Sequence, residues 1–130
     1  MLNTLRKRLR SERGFTLIEL LVVMIILAIL TAIAIPSYLS FKDRANRAAA
    51  GADVRSIIPS IESYFSDHGT YSGMTISNLK TNYDQAINLS TYTLGTGLSD
   101  THYCIQATSP NQTAAKNGPS AAIVQATTCT

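Results

Sequence analysis

A chain of 130 residues, 45% of them hydrophobic and 15% charged, is sized for one small domain. Its formal charge of +3 is concentrated at one end: residues 1–14 hold five basic side chains and one acidic, a net +4, whereas residues 15–130 net −1. No basic stripe survives outside that block, which argues against nucleic-acid binding by the bulk of the chain.

In chain order, Arg6, Lys7, Arg8, Arg10 and Arg13 precede an apolar run, Phe15 to Ile35, whose one charge is Glu19. Those 21 residues make about 31 Å of helix, enough for a hydrocarbon core of about 30 Å. A cleaved secretory signal would have a shorter apolar region, a small-x-small site after it and no carboxylate near its start. A permanent anchor would keep the basic flank cytoplasmic. Neither account explains Glu19. An acidic residue at the centre of a membrane helix costs about 2.5–3.5 kcal/mol. Either Glu19 reaches the headgroups from the cytoplasmic end, or it takes a cationic partner such as a new α-amino group at Phe15.

The stretch Arg13-Gly14-Phe15-Thr16-Leu17-Ile18-Glu19-Leu20-Leu21-Val22-Val23, continuing through Ile29-Leu30-Thr31-Ala32-Ile33-Ala34-Ile35-Pro36, resembles the processing signature of type IV prepilins and pseudopilins. The resemblance implies a leader, residues 1–14, that a prepilin peptidase removes between Gly14 and Phe15, with N-methylation of Phe15. It also implies that Glu19 pairs with an N-terminal amine in a filament core and that Pro36 belongs to the assembly helix. The chemistry agrees. Glycine before a cut leaves no Cβ to obstruct a protease cleft, and the basic block holds the cut at the cytoplasmic face.

Pro36 ends the apolar run and predicts a kink or loosened helix. An amphipathic helix, 37–67, follows: Leu39, Ala45, Ala49, Ala52, Val54, Ile57/Ile58, Ile61 and Tyr64/Phe65 recur at threes and fours. With Val54, Ile58, Ile61 and Phe65 inward, Pro59 faces out and bends the helix. Gly69 reads as its stop. Thr75 is placed to N-cap a short helix through Asn82. Ile87–Leu94, His102–Thr108 and Ala121–Ala126 are strand candidates, with Gly95-Thr96-Gly97 and Asn117-Gly118-Pro119 as loops. The expected fold is α+β: a long N-terminal helix, its first part (15–36) for membrane and filament core, packed on a small antiparallel sheet in a head spanning 37–130. Gly69-Thr70-Tyr71, Tyr103-Cys104-Ile105 and Asn117-Gly118-Pro119 resemble segments in heads of pilins from Gram-positive lineages.

Cys104 and Cys129 lack neighbours of metal-ligand spacing, so a disulfide closing a 104–129 loop is the default in an exported head. His68 and His102 sit in no catalytic motif, and no glycine-rich phosphate loop occurs. No catalytic residue, metal or cofactor is expected. Asn88-Leu89-Ser90 and Asn111-Gln112-Thr113 fit a glycosylation sequon, a match close to chance outside eukaryotes.

The resemblance thus implies a structural subunit of a type IV pilus-like filament for adhesion, motility or DNA uptake, and not an enzyme. It would be a single-pass membrane protein with a cytoplasmic N-terminus, then part of an extracellular pilus. Implied partners are other copies of the chain in a helical filament, the prepilin peptidase, the inner-membrane pilus assembly machinery and membrane lipid before assembly, with DNA or surface ligands beyond them. A secretion pseudopilin is the alternative, and a membrane-anchored binding module that only mimics the signature is the third reading. Major pseudopilins tend to lack the head disulfide and carry a calcium site in a C-terminal loop, yet residues 111–130 contain no acidic side chain.

Overall fold

The computed structural model describes residues 14–129; the leader expected over 1–14 lies outside them except for Gly14. The chain divides into two compact units with the boundary between Leu39 and Ser40. One helix, α1 (Leu17–His68, 52 residues), begins in the first and ends in the second.

In the first unit the apolar part of α1 is long and apolar enough to cross a membrane, and every residue from Gly14 to Leu39 is exposed. The hydroxyls of Thr31 and Ser37 are satisfied locally. Thr31 Oγ1 donates to the carbonyls of Leu27 (2.8 Å) and Ala28 (3.0 Å), and Ser37 Oγ to that of Ile33 (3.2 Å). Such back-bonding lets a polar side chain sit in hydrocarbon without an unpaired donor. The helix runs through Pro36 without a break.

The second unit is the head. Ala50, Val54, Ile57, Ile61 and Tyr64 recur at steps of four and three and are all buried, one apolar stripe of the helix. Pro59 is exposed, as the periodicity predicts, but it does not end the helix. The inward stripe differs from the expected one: Ile57 and Tyr64 are buried, whereas Ile58 and Phe65 are half-buried at its flank. Both sets satisfy helical spacing, so the position of the sheet selects between them. Replacing Ile57 by alanine should therefore cost about 2–5 kcal/mol, and Ile58 by alanine clearly less, in urea denaturation of the detergent-solubilised chain.

Gly69, at φ +69°, ends α1 in the left-handed conformation, and its N–H donates to the Phe65 carbonyl at 2.7 Å. The short helix α2 (Ile76–Asn82) is capped as expected, with Thr75 Oγ1 accepting from Asn78 N at 3.1 Å. Four strands follow: β1 (Tyr92–Leu94), β2 (Cys104–Ser109), β3 (Gln112–Asn117) and β4 (Ile123–Gln125), an antiparallel sheet in chain order. The first is shorter than the expected Ile87–Leu94, because side-chain oxygens of Asp84 and Asn88 accept from Ala86 N and Ser90 N and hold that stretch in turns. The third was not expected at all. Gln112–Asn117 carries no branched or aromatic apolar residue beyond Thr113, and it becomes a strand by pairing with β2 across the Pro110-Asn111 turn.

Ala107 and Ala114 are direct cross-strand partners, and both are fully buried in the same core as the α1 stripe. Alanine at both positions lets the sheet lie close to the helix. Polar ties reinforce this packing: Asn46 Nδ2 donates to Asn111 Oδ1 (2.9 Å) and Arg47 Nε to Gln112 Oε1 (3.1 Å). Tyr64, Tyr71 and Tyr103 are core residues, with Tyr71 and Tyr103 ring centroids 4.8 Å apart.

Candidate functional site

The residues singled out in the sequence fall into two places. Gly14, Phe15 and Glu19 lie together at the start of the first unit, and Pro36 lies further along the same helix, about 26 Å from Glu19 at 1.5 Å per residue. Cys104 and Cys129 belong to the head.

At the start, residues 14–16 precede the first helical residue, Leu17. Thr16 is the N-cap. Its Oγ1 accepts from Glu19 N at 3.2 Å, while Glu19 Oε2 accepts from Thr16 N at 2.8 Å and from Thr16 Oγ1 at 2.9 Å. This reciprocal pair is a capping box, satisfying two helix-terminal donors at once and placing a carboxylate at the positive end of the helix dipole. Glu19 thus has a partner within its own chain, the hydroxyl and amide of Thr16. Thr16 is the capping residue the sequence reading missed. Its signal was the Thr-x-x-Glu spacing ahead of an apolar run.

Phe15 is 91% exposed. A Cβ built on Gly14 would meet nothing within 4 Å, so no contact inside the described chain demands a glycine there.

In the head, Cys104 and Cys129 form a disulfide with Cα atoms 5.7 Å apart. Gly95 lies against it: a Cβ there would stand 2.9 Å from Cys129 Cβ and 3.0 Å from Cys104 Cβ. Gly95 N donates to the Cys104 carbonyl at 2.9 Å, and Cys129 N to Gln106 Oε1 at 3.1 Å. The bridge thereby ties the C-terminal segment to β2 and to the turn after β1. Nearby, burial, reinforced by the Glu62 carboxylate, pushes the Tyr103 phenol up from its usual range, and Tyr71 OH donates to Glu62 Oε2 at 3.2 Å. These phenols act as hydrogen-bond donors in the core.

Among the described residues no group of three His, Cys, Asp or Glu side chains is placed to hold a metal.

Residues 9–35 match the family described as Prokaryotic N-terminal methylation motif. Over 61 residues the chain is 42% identical to the type IV major pilin protein PilA of Myxococcus xanthus, covering 47% of this chain and 28% of that protein. It is 41% identical over 63 residues to the type IV wide pilus major component PilA4 of Thermus thermophilus, covering 48% of each. With the type II secretion system core protein G of Pseudomonas aeruginosa the identity is 39% over 62 residues, 48% of this chain and 44% of that protein. The chain spans less than half the length of each of these relatives. With the methylation motif at the head of a capped, exposed apolar helix, and with pilins and secretion core proteins both among the matched relatives, the chain is similar over about half its length to type IV pilins and to type II secretion core proteins G.

Proposed function

We propose that the chain is a pilin: a structural subunit that is cut between Gly14 and Phe15, N-methylated on Phe15, and polymerised through its N-terminal helix. The observation that carries this is the first unit of the structure, an apolar helix exposed on every side and headed by a capped carboxylate. A surface of that kind is stable in lipid or against other copies of itself, and not in water. Before assembly the chain sits in the membrane with residues 1–14 cytoplasmic, in keeping with their net +4. Afterwards it stands in an extracellular filament. Its partners are further copies of the chain, a prepilin peptidase, the inner-membrane assembly machinery and lipid. The role is structural, with no catalysis by the chain itself, and adhesion, motility or DNA uptake belongs to the fibre.

The relatives include pseudopilins as well as pilins, and two observations favour the pilin. The head carries a disulfide, and residues 111–130 contain no carboxylate side chain to build a calcium cage.

Processing is tested by intact mass. Filament protein should lack residues 1–14 and carry one additional methyl group on Phe15. A bulky side chain at Gly14, as in Gly14→Val, should leave full-length precursor in the membrane fraction. An assembled chain still bearing Arg6 to Arg13 would overturn the proposal.

A further inference from the structure

As a motif, an Asn-x-Ser/Thr triplet in a chain with a prokaryotic N-terminal motif carries little weight; what separates the two triplets here is the geometry of the head. Asn111 sits at the tip of the β2–β3 turn with its Oδ1 engaged by Asn46 Nδ2 at 2.9 Å. Thr113, the third residue of that triplet, is already in β3 and paired with Thr108. Its hydroxyl makes no bond to Asn111 among the described residues. Asn88 differs in each respect. Asn88, Leu89 and Ser90 are all exposed, and Leu89, an apolar residue with no packing duty there, is 50% exposed. Ser90 Oγ donates to Asn88 Oδ1 at 2.9 Å, and Ser90 N donates to the same oxygen at 3.1 Å. Both donors go to Oδ1, and among the described residues no hydrogen bond engages Nδ2 of this exposed side chain. The turn is held from beneath: Ile87 is buried, Lys80 Nζ donates to the Ile87 carbonyl, and Thr91 N donates to the Asn88 carbonyl at 3.1 Å.

We propose that Asn88 is an N-glycosylation site of the exported head, with a lipid-pyrophosphate-linked saccharide as donor. In the transfer, Asn88 Nδ2 bonds to the anomeric carbon of the saccharide. The bond from that carbon to the pyrophosphate oxygen breaks, the lipid pyrophosphate leaves with the electron pair, and Nδ2 gives up one proton. Ser90 is the positioning residue, acting through its hydroxyl on Asn88 Oδ1; a threonine preserves that contact and an alanine removes it. The proposal rests on export of the head, as the pilin reading requires.

The experiment uses filaments sheared from the native host, whose subunits are first verified by mass to have lost residues 1–14, so that export and glycosylation are scored separately. Asn88 and Asn111 fall in the single tryptic peptide between Lys80 and Lys116, so fragmentation spectra must assign the site. A saccharide-sized mass increment on Asn88 is expected. It should fall to background in Asn88→Gln and Ser90→Ala, and persist in Ser90→Thr and Asn111→Gln. A processed filament subunit with unmodified Asn88 would overturn the proposal while leaving the pilin reading intact. An increment released by β-elimination, which places the sugar on a hydroxyl, would overturn it too.

Discussion

Glu19→Ala should fold, insert and be cut as the wild type does, yet yield roughly tenfold fewer sheared filaments or worse, from matched pools of processed subunit. The expectation follows from where the carboxylate's partners are. In the single chain Glu19 is held by the Thr16 amide and hydroxyl at 2.8 and 2.9 Å. Cutting before Phe15 frees an α-amino group one residue further out, and in a low-dielectric filament core a carboxylate and an ammonium attract far more strongly than either bonds a hydroxyl. Breaking a buried pair of this kind by removing one partner costs about 3–5 kcal/mol, enough for the expected loss at about 1.4 kcal/mol per factor of ten.

Capping supplies the competing explanation, and two variants separate it. Thr16→Ala deletes the cap hydroxyl, at about 1 kcal/mol, and keeps the charge. Glu19→Gln keeps an acceptor for the Thr16 amide and deletes the charge. If the ion pair governs assembly, Glu19→Gln assembles poorly and Thr16→Ala assembles nearly normally. The reverse pattern would assign Glu19 to helix capping alone, and wild-type yield from Glu19→Ala would remove it from assembly altogether.

Loss of the disulfide should have the largest effect on the head. Cys104 and Cys129 are 25 residues apart, and closing a loop of that length stabilises the folded state by about 3.5 kcal/mol on the chain-entropy account. A head of this size has a stability of the same order. Cys104→Ser with Cys129→Ser should therefore lower the urea midpoint sharply and leave filaments prone to proteolysis near the C-terminus. Gly95→Val probes the same junction from the other side. Its side chain would press on both half-cystines, whose Cβ atoms lie 2.9 and 3.0 Å from the nearest position a Cβ can take, at about 1–3 kcal/mol. Without the bridge the Cys129 segment is free to withdraw. The penalty of Gly95→Val should then shrink in the serine background, and an equal penalty in both backgrounds would mean that Gly95 serves the turn and not the bridge.

How much was legible depended on whether a local pattern had a unique solution. The apolar run from Phe15, the stop at Gly69 and the cap at Thr75 were readable because each rests on local chemistry: transfer to lipid, a left-handed φ, and a hydroxyl near an orphan N–H. The pairing of the two cysteines was readable because no other thiol competes. The capping box was equally local and went unread, since Glu19 was weighed only as a charge in hydrocarbon and not as a first-turn residue.

Tertiary structure alone decided the rest. Ile57 and Ile58 suit an inward stripe equally well by spacing, and only the sheet's position buries the first. Gln112–Asn117 has little strand propensity, yet β2 offers it a full ladder of partners and a core that accepts alanine, so hydrogen bonding and burial outweigh local preference. Gly95 lies 34 residues from Cys129 in sequence, and the requirement for a glycine exists only because the bridge brings the two together. What the sequence determined by itself was therefore the membrane-grade helix with its processing signature and the redox chemistry of the head. Which residues face inward, which polar stretch becomes a strand and where a side chain cannot fit are settled by contacts between distant segments, and no local pattern encodes those.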